Sequence, residues 1–503
     1  MTTKLGSVFW AMAQRLASDT RGATLALVAA AISALIGFTG LGVETGLWYA
    51  MKRQNQSAAD VAALSGAFEL LAVKTYPDIC GFAKRDATLN GFTFQGFACP
   101  ATTPACTSPA SGQMCANNPP VLGTYAGQIN AVEVILAQQQ NALFASLSLA
   151  NVTIDTRAVA VISVLDQACL LALDPAASNA ILIKGNPSLN MPNCSVVADS
   201  TSPSAIHLQG SASITADTLV TAGGVDTTGN PIFTLSKPAQ TNAPTVPDPY
   251  APGNCGAPPL APCLNHAFLT TGMPSAPPSL PCTPIADAGN NITTYSNGNC
   301  VVTGASVGPP KNGGTVVMPG NVQISGGWNV DHETVNLSPG TYWITDGDLN
   351  LGANGVLECT ACDPSTGVGI TIIFTIKATT TVGTFTMAAN TNVGNPPAAP
   401  NFNAPNSGTF KGLLFIQDSN GLPAGTTWDS GTFQGGPNTV LNGLVYAPKT
   451  TVTFNGNPAA GGAGCLILVA DQVVLSGNSQ LNSTGCAAAG VSPPIVKTVA
   501  LAE

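Results

Sequence analysis

Four carboxylates that lie close together in the sequence are the first residues that could do chemistry. Pairs of Asp or Glu perform the acid and base steps of glycoside hydrolysis, and oxygen ligands carried on loops also suit Ca²⁺. Acids beside turns are common without any catalytic role, because their carboxylates bond nearby backbone amides or water. We therefore interpret them as turn residues, and we keep a glycosidase and a bound calcium ion as alternatives. The four residues are Asp331, Glu333, Asp346 and Asp348.

The cysteines form a second set. All 14 lie at or beyond Cys80, and an even number confined to one part of the chain indicates disulfides in an oxidising compartment. The pair in Cys359-Thr-Ala-Cys362 lacks the second cysteine pair of a zinc site and the βαβ context of a redox motif. The sequence therefore predicts structural bridges, with no metal and no cofactor. Three bridges are expected: Cys359 with Cys362 within the CxxC, and Cys169 with Cys194 and Cys465 with Cys486, each of which flanks a single repeat.

The histidines do not indicate a nucleophilic site. His207, His266 and His332 are far apart, and none belongs to a recognisable Ser or Cys nucleophile motif. We expect them at the surface or in turns. With the carboxylates interpreted as turn residues, this predicts a chain without enzymatic activity.

The composition favours a folded protein with a neutral polar surface. Charged residues make up 8% of the 503 residues and hydrophobic residues 45%, while Gly (53) and Pro (39) are abundant. A net charge of -9 without a basic stripe argues against nucleic acid as a partner. The length exceeds what one hydrophobic core supports, so we expect more than one domain.

An apolar stretch near the start is long enough to cross a bilayer. No charge occurs from Gly22 to Val43, and a helix of this length spans about 33 Å. A secretory signal has a shorter apolar run followed by a cleavage site, so we predict a retained anchor. Trp48 and Tyr49 follow as interfacial aromatic residues. Basic residues before the helix and cysteines after it predict a cytoplasmic N-terminus and a periplasmic bulk.

The residues around this stretch carry a family resemblance. An Arg-Gly pair opens the apolar helix, the helix ends in Gly-x-x-x-Glu-x-Gly, and an Ala-rich run follows the two aromatic residues. This combination resembles the N-terminal segment of TadG-like proteins, of the TadE/TadG family, in Tad (Flp) pilus-assembly systems. The resemblance implies a single-pass accessory protein whose partners are the pilus or secretion machinery. The motif residues are Arg21, Gly22, Glu44, Gly46, Ala59, Asp60 and Gly66.

Two features separate this chain from neighbouring possibilities. A processed pilin-like subunit normally carries Glu five residues after the cleavage-point Gly, whereas Leu27 occupies that place after Gly22. We interpret Glu44, at the far end of the helix, as a carboxylate that reaches headgroup water. Many TadG-like proteins continue into a von Willebrand A domain with an Asp-x-Ser-x-Ser metal loop, which this sequence lacks.

Residues 44–166 predict a helical stalk followed by a small α+β module. Helix-forming residues without Pro continue the anchor helix to about Leu71. Alternation of apolar residues at 131–136 and 152–163 indicates strands.

Most of the remaining chain repeats one short unit, in which two alternating apolar residues precede a Gly and a further apolar residue follows it. Such strands at intervals of roughly 20 to 26 residues are typical of a solenoid, and we predict a right-handed parallel β-helix. An antiparallel β-sandwich is the alternative. The Pro-rich stretch 238–284 cannot lie in a central strand and is interpreted as an insertion or a long loop. The copies are Ile181–Leu189, Ile206–Ile214, Val322–Val330, Val452–Ala460 and Val473–Leu481.

The sequence thus predicts a mainly β, non-enzymatic inner-membrane protein of Tad pilus assembly or secretion. Its solenoid is expected to present a protein-binding face in the periplasm or at the surface. A surface adhesin or carbohydrate-binding protein, with a glycan as partner, is one alternative, and a β-helix glycosidase is another. The predicted parts are a cytoplasmic stub (1–20), a transmembrane helix (21–43), the stalk and module (44–166), the repeat domain (167–490) and a tail (491–503).

Overall fold

The structure, a computed structural model, divides the chain into two compact units. Unit 1 comprises residues 1–163 and 499–503, and unit 2 comprises residues 164–498. The predicted stub at 1–20 lies outside the described residues except for Thr20. The described residues are 20–71, 75–103, 105–147, 150–252, 254–255, 261–274, 282–309, 311–363, 365–388, 392–393, 402–435, 441–456, 459–460, 464–486 and 490–503.

Unit 1 is built on one long helix. α1 spans Thr20–Leu71 and has 52 residues, as its helix-forming composition predicts. α2, Tyr76–Leu89, begins with a capping box between Thr75 and Asp78 and with Pro in its first turn. A three-residue 3₁₀ turn lies at Ala145–Leu147.

Three antiparallel strands form the main sheet of unit 1. They are β1 (Gln113–Asn117), β2 (Ala131–Asn141) and the first part of β3 (Asn151–Ala172). β2 lies in the middle, with Leu136 opposite Met114 on one side and opposite Thr156 on the other. Both strand regions predicted from alternation are therefore strands in the structure.

The second half of α1 forms the core of unit 1. Small side chains, Ala58, Ala59, Ala62 and Ala63, are fully buried against the strands and α2. A Cβ added to Gly66 would lie 3.1 Å from Cγ1 of Val132, so the helix backbone approaches the sheet closely. The segment after the anchor continues the helix as predicted, but it is packed into the module and does not stand free as a stalk.

Unit 2 consists of parallel ladders of short strands. Two of them share β29 (Gly443–Gly456) and β31 (Leu466–Gly477), because each of these strands bends and pairs at both ends. The first ladder runs, in pairing order, β14 (Cys300–Thr303), β16 (Val322–Ser325), β19 (Gly340–Thr345), β22 (Ile370–Thr375), β26 (Leu413–Gln417), β29, β31, β3, β6 (Ser195–Ala198) and β9 (Leu219–Thr221). The second runs β17 (Trp328–Val330), β20 (Leu349–Leu351), β24 (Phe385–Met387), β28 (Gly431–Gly435), β29, β31, β4 (Ile181–Gly185), β7 (Ile206–Gly210) and β10 (Val225–Gly229).

The remaining strands form smaller sheets. One is β30 (Ala459–Ala460), β32 (Gln480–Asn482), β5 (Ser188–Met191), β8 (Ser213–Ala216) and β11 (Ile232–Leu235). Another is β12 (Thr283–Asp287), β13 (Ile292–Ser296), β15 (Thr315–Met318), β18 (Thr334–Leu337), β21 (Val356–Glu358) and β25 (Asn392–Val393), in which only the β12–β13 pair is antiparallel. The last is β23 (Thr381–Val382) with β27 (Thr427–Trp428). Predominantly parallel pairing disfavours the antiparallel sandwich.

The ladders do not follow the order of the chain. β31, near the end of unit 2, pairs with β3 and β4 near its start, so that Leu468 lies opposite Leu170 and Val473 opposite Ile181. The last copy of the repeat therefore stacks on the first copy. β9 and β10 occupy one end of the ladders, and the next ladder strands along the chain, from β14 onward, begin at the opposite end.

The first ladder is buried on both faces. Alternate residues of its strands point into two different apolar clusters, as the period of two requires. This explains why its strands have continuous apolar runs such as LILVA at 466–470. Leu170, Val196 and Leu468 join the main core, whereas Leu171, Val197 and Val469 join the second cluster.

The described residues between 236 and 282, here named the crossing segment, pack on that second face. Val246, Tyr250, Leu264 and Leu269 of this segment lie in the same cluster as the outward strand residues. The Pro-rich stretch at 238–284, predicted as an insertion or a long loop, is thus the connection that returns the chain from β11 to β12 at the opposite end. Pro suits such a path because it donates to no ladder.

Two predicted boundaries differ from the structure. The predicted tail at 491–503 contains a strand, β33 (Ile495–Leu501), and its last five residues belong to unit 1. The boundary between the units falls at Ser163, inside β3. A continuous strand carries no turn residues that could mark such a boundary in the sequence.

The stacked glycines at the joint between β31 and β4 give the first testable prediction. Gly185 has φ +96°, and a Cβ there would lie 2.8 Å from the Gly477 carbonyl oxygen. Gly326 has φ +81° and open space around a Cβ. We expect Gly185→Ala to destabilise unit 2 by about 3 to 5 kcal/mol, because strain and overpacking add, and Gly326→Ala by about 1 to 2 kcal/mol.

Guanidinium titration of the full chain in detergent, followed by tryptophan fluorescence, measures the difference. If both variants lost the same free energy of unfolding, β31 would not pack on β4.

Candidate functional site

Glu44 fastens a distant loop to α1. Its side chain is 3% exposed, and its carboxylate accepts hydrogen bonds from the backbone N–H of Leu143, of Phe144 at 3.1 Å and of Ala145 at 2.8 Å. Amides directed at a carboxylate stabilise its charge in place of water. Residues 142–147 are named the clasp loop. The interpretation of Glu44 as a headgroup-hydrated carboxylate is wrong, because the carboxylate is buried and bonds backbone amides instead of water. No feature of the sequence marks this loop as the donor.

Gly40 lets the clasp loop approach the helix. A Cβ at Gly40 would lie 2.5 Å from Cδ1 of Phe144, so the phenyl ring occupies the place of a side chain. Gly40 precedes Glu44 by about one helical turn and lies on the same face. The Gly-x-x-x-Glu part of the motif thus combines a space for the ring with an acceptor for the loop backbone.

The other motif residues pack α1 against its own module. Ala59 is fully buried. Asp60 accepts a hydrogen bond at 2.8 Å from Gln56 Nε2, which also donates at 2.9 Å to the carbonyl of Arg157. Asp60 therefore orients the amide that ties α1 to β3.

The predicted anchor residues have little packing. Val43 is 56% exposed and Tyr49 is 66% exposed, whereas Trp48 is half-buried. Gly46 has open space where a Cβ would stand. Arg21 and Gly22 lie within α1, and the side chain of Arg21 is outside the described part.

A buried ion pair that the sequence did not indicate holds β2 to β3. Glu133 is fully buried, and Arg157 Nε lies 2.5 Å from its Oε1. Its Oε2 accepts from Asn117 Nδ2 at 2.7 Å and from the Val121 N–H at 2.9 Å. Arg157 Nη1 also lies 2.5 Å from the Glu503 carboxylate. The pair is fully bonded within unit 1, which favours a structural role.

Asp346 and Asp348 bond the backbone of neighbouring turns. Asp346 Oδ1 accepts from the N–H groups of residues 377–379 at 2.8 to 2.9 Å. Burial opposes its ionisation, but these bonds outweigh burial and lower the pKa of Asp346. Asp348 Oδ1 accepts from Thr384 N–H at 2.8 Å, while burial, with the charge of Asp429, raises its pKa.

Glu333 and Asp331 lie in a different environment from Asp346 and Asp348. Glu333 is buried directly before β18, and burial, with the charge of Asp331, raises its pKa to about 7. Asp331 is paired with His332 at 2.8 Å. Within the described residues, no three His, Cys, Asp or Glu side chains come together where they could hold a metal ion.

Two buried carboxylates pin the crossing segment to the first ladder. Asp199, directly after β6, accepts from the Val246 N–H at 2.7 Å. Asp248 accepts from the Tyr446 hydroxyl of β29 at 2.7 Å. Burial raises the pKa of Asp199 to about 7 and also raises that of Asp248.

A third pin involves a histidine that the sequence placed at the surface or in a turn. His266 opens the short helix α3 (His266–Leu269), and its Nδ1 lies 2.6 Å from Oδ2 of the fully buried Asp418. Thr375 donates to the same oxygen at 2.7 Å. Burial raises the pKa of Asp418 although these bonds oppose it. The sequence could not reveal this pair, because its members lie 152 residues apart.

The other two histidines lie elsewhere. His207 is in β7 with its Nδ1 at 2.9 Å from the Asn179 side chain, and His332 stands in a turn with φ +55°. The structure does not bring the three histidines to a shared site with a nucleophile.

All 14 cysteines lie in the described residues and are paired. The three predicted pairs, Cys169 with Cys194, Cys359 with Cys362 and Cys465 with Cys486, are disulfides in the structure. Two more belong to the crossing segment, Cys255 with Cys263 inside it and Cys282 with Cys300 where it reaches β14. The last two are Cys80 with Cys99 and Cys106 with Cys115, both in unit 1.

A cleft of about 520 Å³ opens beside the crossing segment. Its walls include Tyr250, Leu413, Leu444 and Val491, and Lys411 contributes an amine. Apolar walls with one amine can hold a ligand but offer no acid–base pair.

The comparisons with known proteins concern α1. Residues 22–68 match the model of a family described as putative Flp pilus-assembly TadE/G-like proteins. No curated protein and no solved structure matches the chain significantly. The matched residues end within α1, so the match includes Gly40, Glu44 and the Ala-rich packing surface.

The pin at Asp199 predicts a pH dependence. The folded carboxyl, with its pKa near 7, keeps a proton that the unfolded carboxyl loses near pH 4. Stability is therefore greatest below pH 4 for this group and falls as the pH rises to 7, by up to about 4 kcal/mol. Asp199→Asn, which stays neutral and keeps an acceptor for Val246, should flatten this fall.

Denaturant midpoints of the full chain at several pH values between 4 and 8 measure the effect. Asp155→Asn, an exposed carboxylate in unit 1, is the matched control and should keep the wild-type slope. An unchanged slope for Asp199→Asn would contradict the assignment.

Proposed function

We propose that this chain, whose residues 22–68 are a TadE/G-like Flp pilus-assembly segment, is a non-enzymatic, membrane-anchored component of Tad pilus assembly or secretion. The family match at α1 is the observation that carries the proposal. The anchor holds the protein in the inner membrane by a single span. The bulk of the chain then lies in the periplasm and presents a rigid β-solenoid to other proteins of the machinery.

The exposure of α1 supports the membrane anchor. Leu27, Leu35, Ile36 and Phe38 are between 61% and 75% exposed, and α1 is the one helix among the described residues long and apolar enough to cross a bilayer. Apolar side chains exposed around a helix are stable in lipid and costly in water.

The disulfides support the orientation. Seven bridges lie after α1 and none before it. Such bridges persist in the periplasm and are rare in the cytosol. A cytoplasmic N-terminus and a periplasmic bulk satisfy this requirement with one crossing.

The parallel ladders support a right-handed β-helix in unit 2. Successive strands stack in register, as in the row Leu182, His207 and Asp226, and inward residues form one continuous core. Crossovers between parallel strands are overwhelmingly right-handed. Such a column would be stiff, since each rung is bonded to the rungs on both sides.

The bonding of the acids supports a structural role over a glycosidase. Asp346 Oδ1 accepts three backbone N–H bonds, and Asp348 and Asp199 each accept a hydrogen bond from a backbone N–H. Each of these carboxylates fixes a turn or a segment, which is a sufficient reason for its presence.

Site-specific photo-crosslinking in cells that carry the Tad machinery tests the proposal. A photoreactive residue at Leu35 lies within the proposed membrane span on the side of α1 opposite Glu44, because positions nine apart in a helix point in opposite directions. We expect it to cross-link a protein of the Tad machinery. A photoreactive residue at Ile129, which is 78% exposed in the module, is the matched control.

The same cells without the Tad genes should lose the Leu35 product. A full-length chain that stays in the membrane but yields no Tad protein from Leu35, together with normal piliation when its gene is deleted, would refute the proposed function.

A further inference from the structure

The clasp loop exposes two large apolar side chains beside the anchor. Leu143 is 70% exposed and Phe144 is 52% exposed. Exposed apolar side chains at Leu41, Val43 and Leu47 of α1 lie at the same level of the helix. Together these five side chains form an apolar collar at the periplasmic end of the anchor.

The position of the loop along α1 is fixed by two contacts. The Glu44 carboxylate holds the backbone at residues 143–145, and the Phe144 ring lies against Gly40. Gly40 is inside the uncharged stretch that ends at Val43, about 6 Å before Glu44 along the helix. If α1 spans the bilayer, Phe144 lies at the depth of the last turn of the apolar stretch.

The backbone N–H groups of residues 142–145 are satisfied within the protein. The N–H groups of Leu143, Phe144 and Ala145 are bonded to Glu44, and the Ala142 N–H donates to the carbonyl of Ala150 at 3.2 Å. Ser146 Oγ donates at 2.7 Å to the Leu143 carbonyl. Non-helical backbone can enter a bilayer only when its hydrogen bonds are made internally, and the N–H groups of residues 142–145 meet that condition.

We propose that the clasp loop is a second membrane contact, which inserts Leu143 and Phe144 among the lipid acyl chains beside α1. Its partner is the bilayer itself. Since α2 and the strands are packed on the same helix, the contact fixes the module against the membrane surface in addition to tethering it. This inference rests on one part of the proposed function, namely that α1 spans the bilayer.

Depth measurement by spin labelling tests the loop and the anchor separately. All native cysteines are paired, so a single introduced cysteine in the full chain carries the label. The label positions are Leu143→Cys in the loop, Ile32→Cys in the middle of the anchor, and Ile129→Cys as the matched control. Ile129 is as exposed as Leu143 but lies just before β2, whose length of about 34 Å separates it from the loop.

The protein is placed in vesicles of phosphatidylethanolamine and phosphatidylglycerol, and collisions with oxygen and with a water-soluble nickel chelate are compared. We expect oxygen to dominate at positions 32 and 143, by at least about threefold at 143, and the nickel chelate to dominate at position 129. Glu44→Ala added to Leu143→Cys should release the loop and move its label into water.

The remaining outcomes overturn one claim each. A label at 32 in lipid with a label at 143 in water refutes the second contact and leaves the anchor intact. A label at 143 shielded from both reagents identifies a protein neighbour and refutes the lipid partner. A label at 32 in water refutes the anchor and with it the proposed function.

Discussion

The pairing of β31 with β3 and β4 is the interaction on which unit 2 depends. It joins strands whose sequences are almost 300 residues apart, through contacts such as Val473 with Ile181. Because the chain enters and leaves the ladders at this joint, both ends of unit 2 lie within the stack and not at its ends. The polypeptide must therefore travel once from one end of the ladders to the other without contributing a ladder strand, which is the path of the crossing segment.

The path of the crossing segment explains why the first ladder can carry apolar residues on both faces. A first ladder with Val, Ile and Leu on both faces would expose a wide apolar surface if nothing covered it. The crossing segment supplies the cover with Val246, Tyr250, Leu264 and Leu269. In its described residues the crossing segment has only the short helix α3 as a regular element, and side-chain bonds hold it to the first ladder. Asp199, Asp248 and Asp418 provide these bonds at three positions along the stack, and two disulfides provide further ties.

Local sequence features predicted the helix and the strands, but they did not predict which distant residues contact each other. The composition of 20–71 predicts a single helix, and the Gly-punctuated alternation predicts strands whose glycines have positive φ, as at Gly185 and Gly210. The spacing of Cys169 from Cys194 and of Cys465 from Cys486 predicts their pairing across one repeat. By contrast, all repeats share one pattern, so any copy could stack on any other, and only the whole fold selects the partner of β31. The partners of Glu44 and Asp418 were equally hidden, since neither residues 143–145 nor His266 belong to a recognisable motif.

The distance between Asp226 in β10 and Asn329 in β17 tests the permuted stacking most directly. Both are exposed, and they occupy the same position of the rung at the two ends of the second ladder. With spin labels on introduced cysteines in the full chain, pulsed dipolar spectroscopy should give about 38 Å, from eight steps of ~4.8 Å. Stacking of the repeats in chain order would bring the two labels within about 10 Å of each other, and that result would contradict the account.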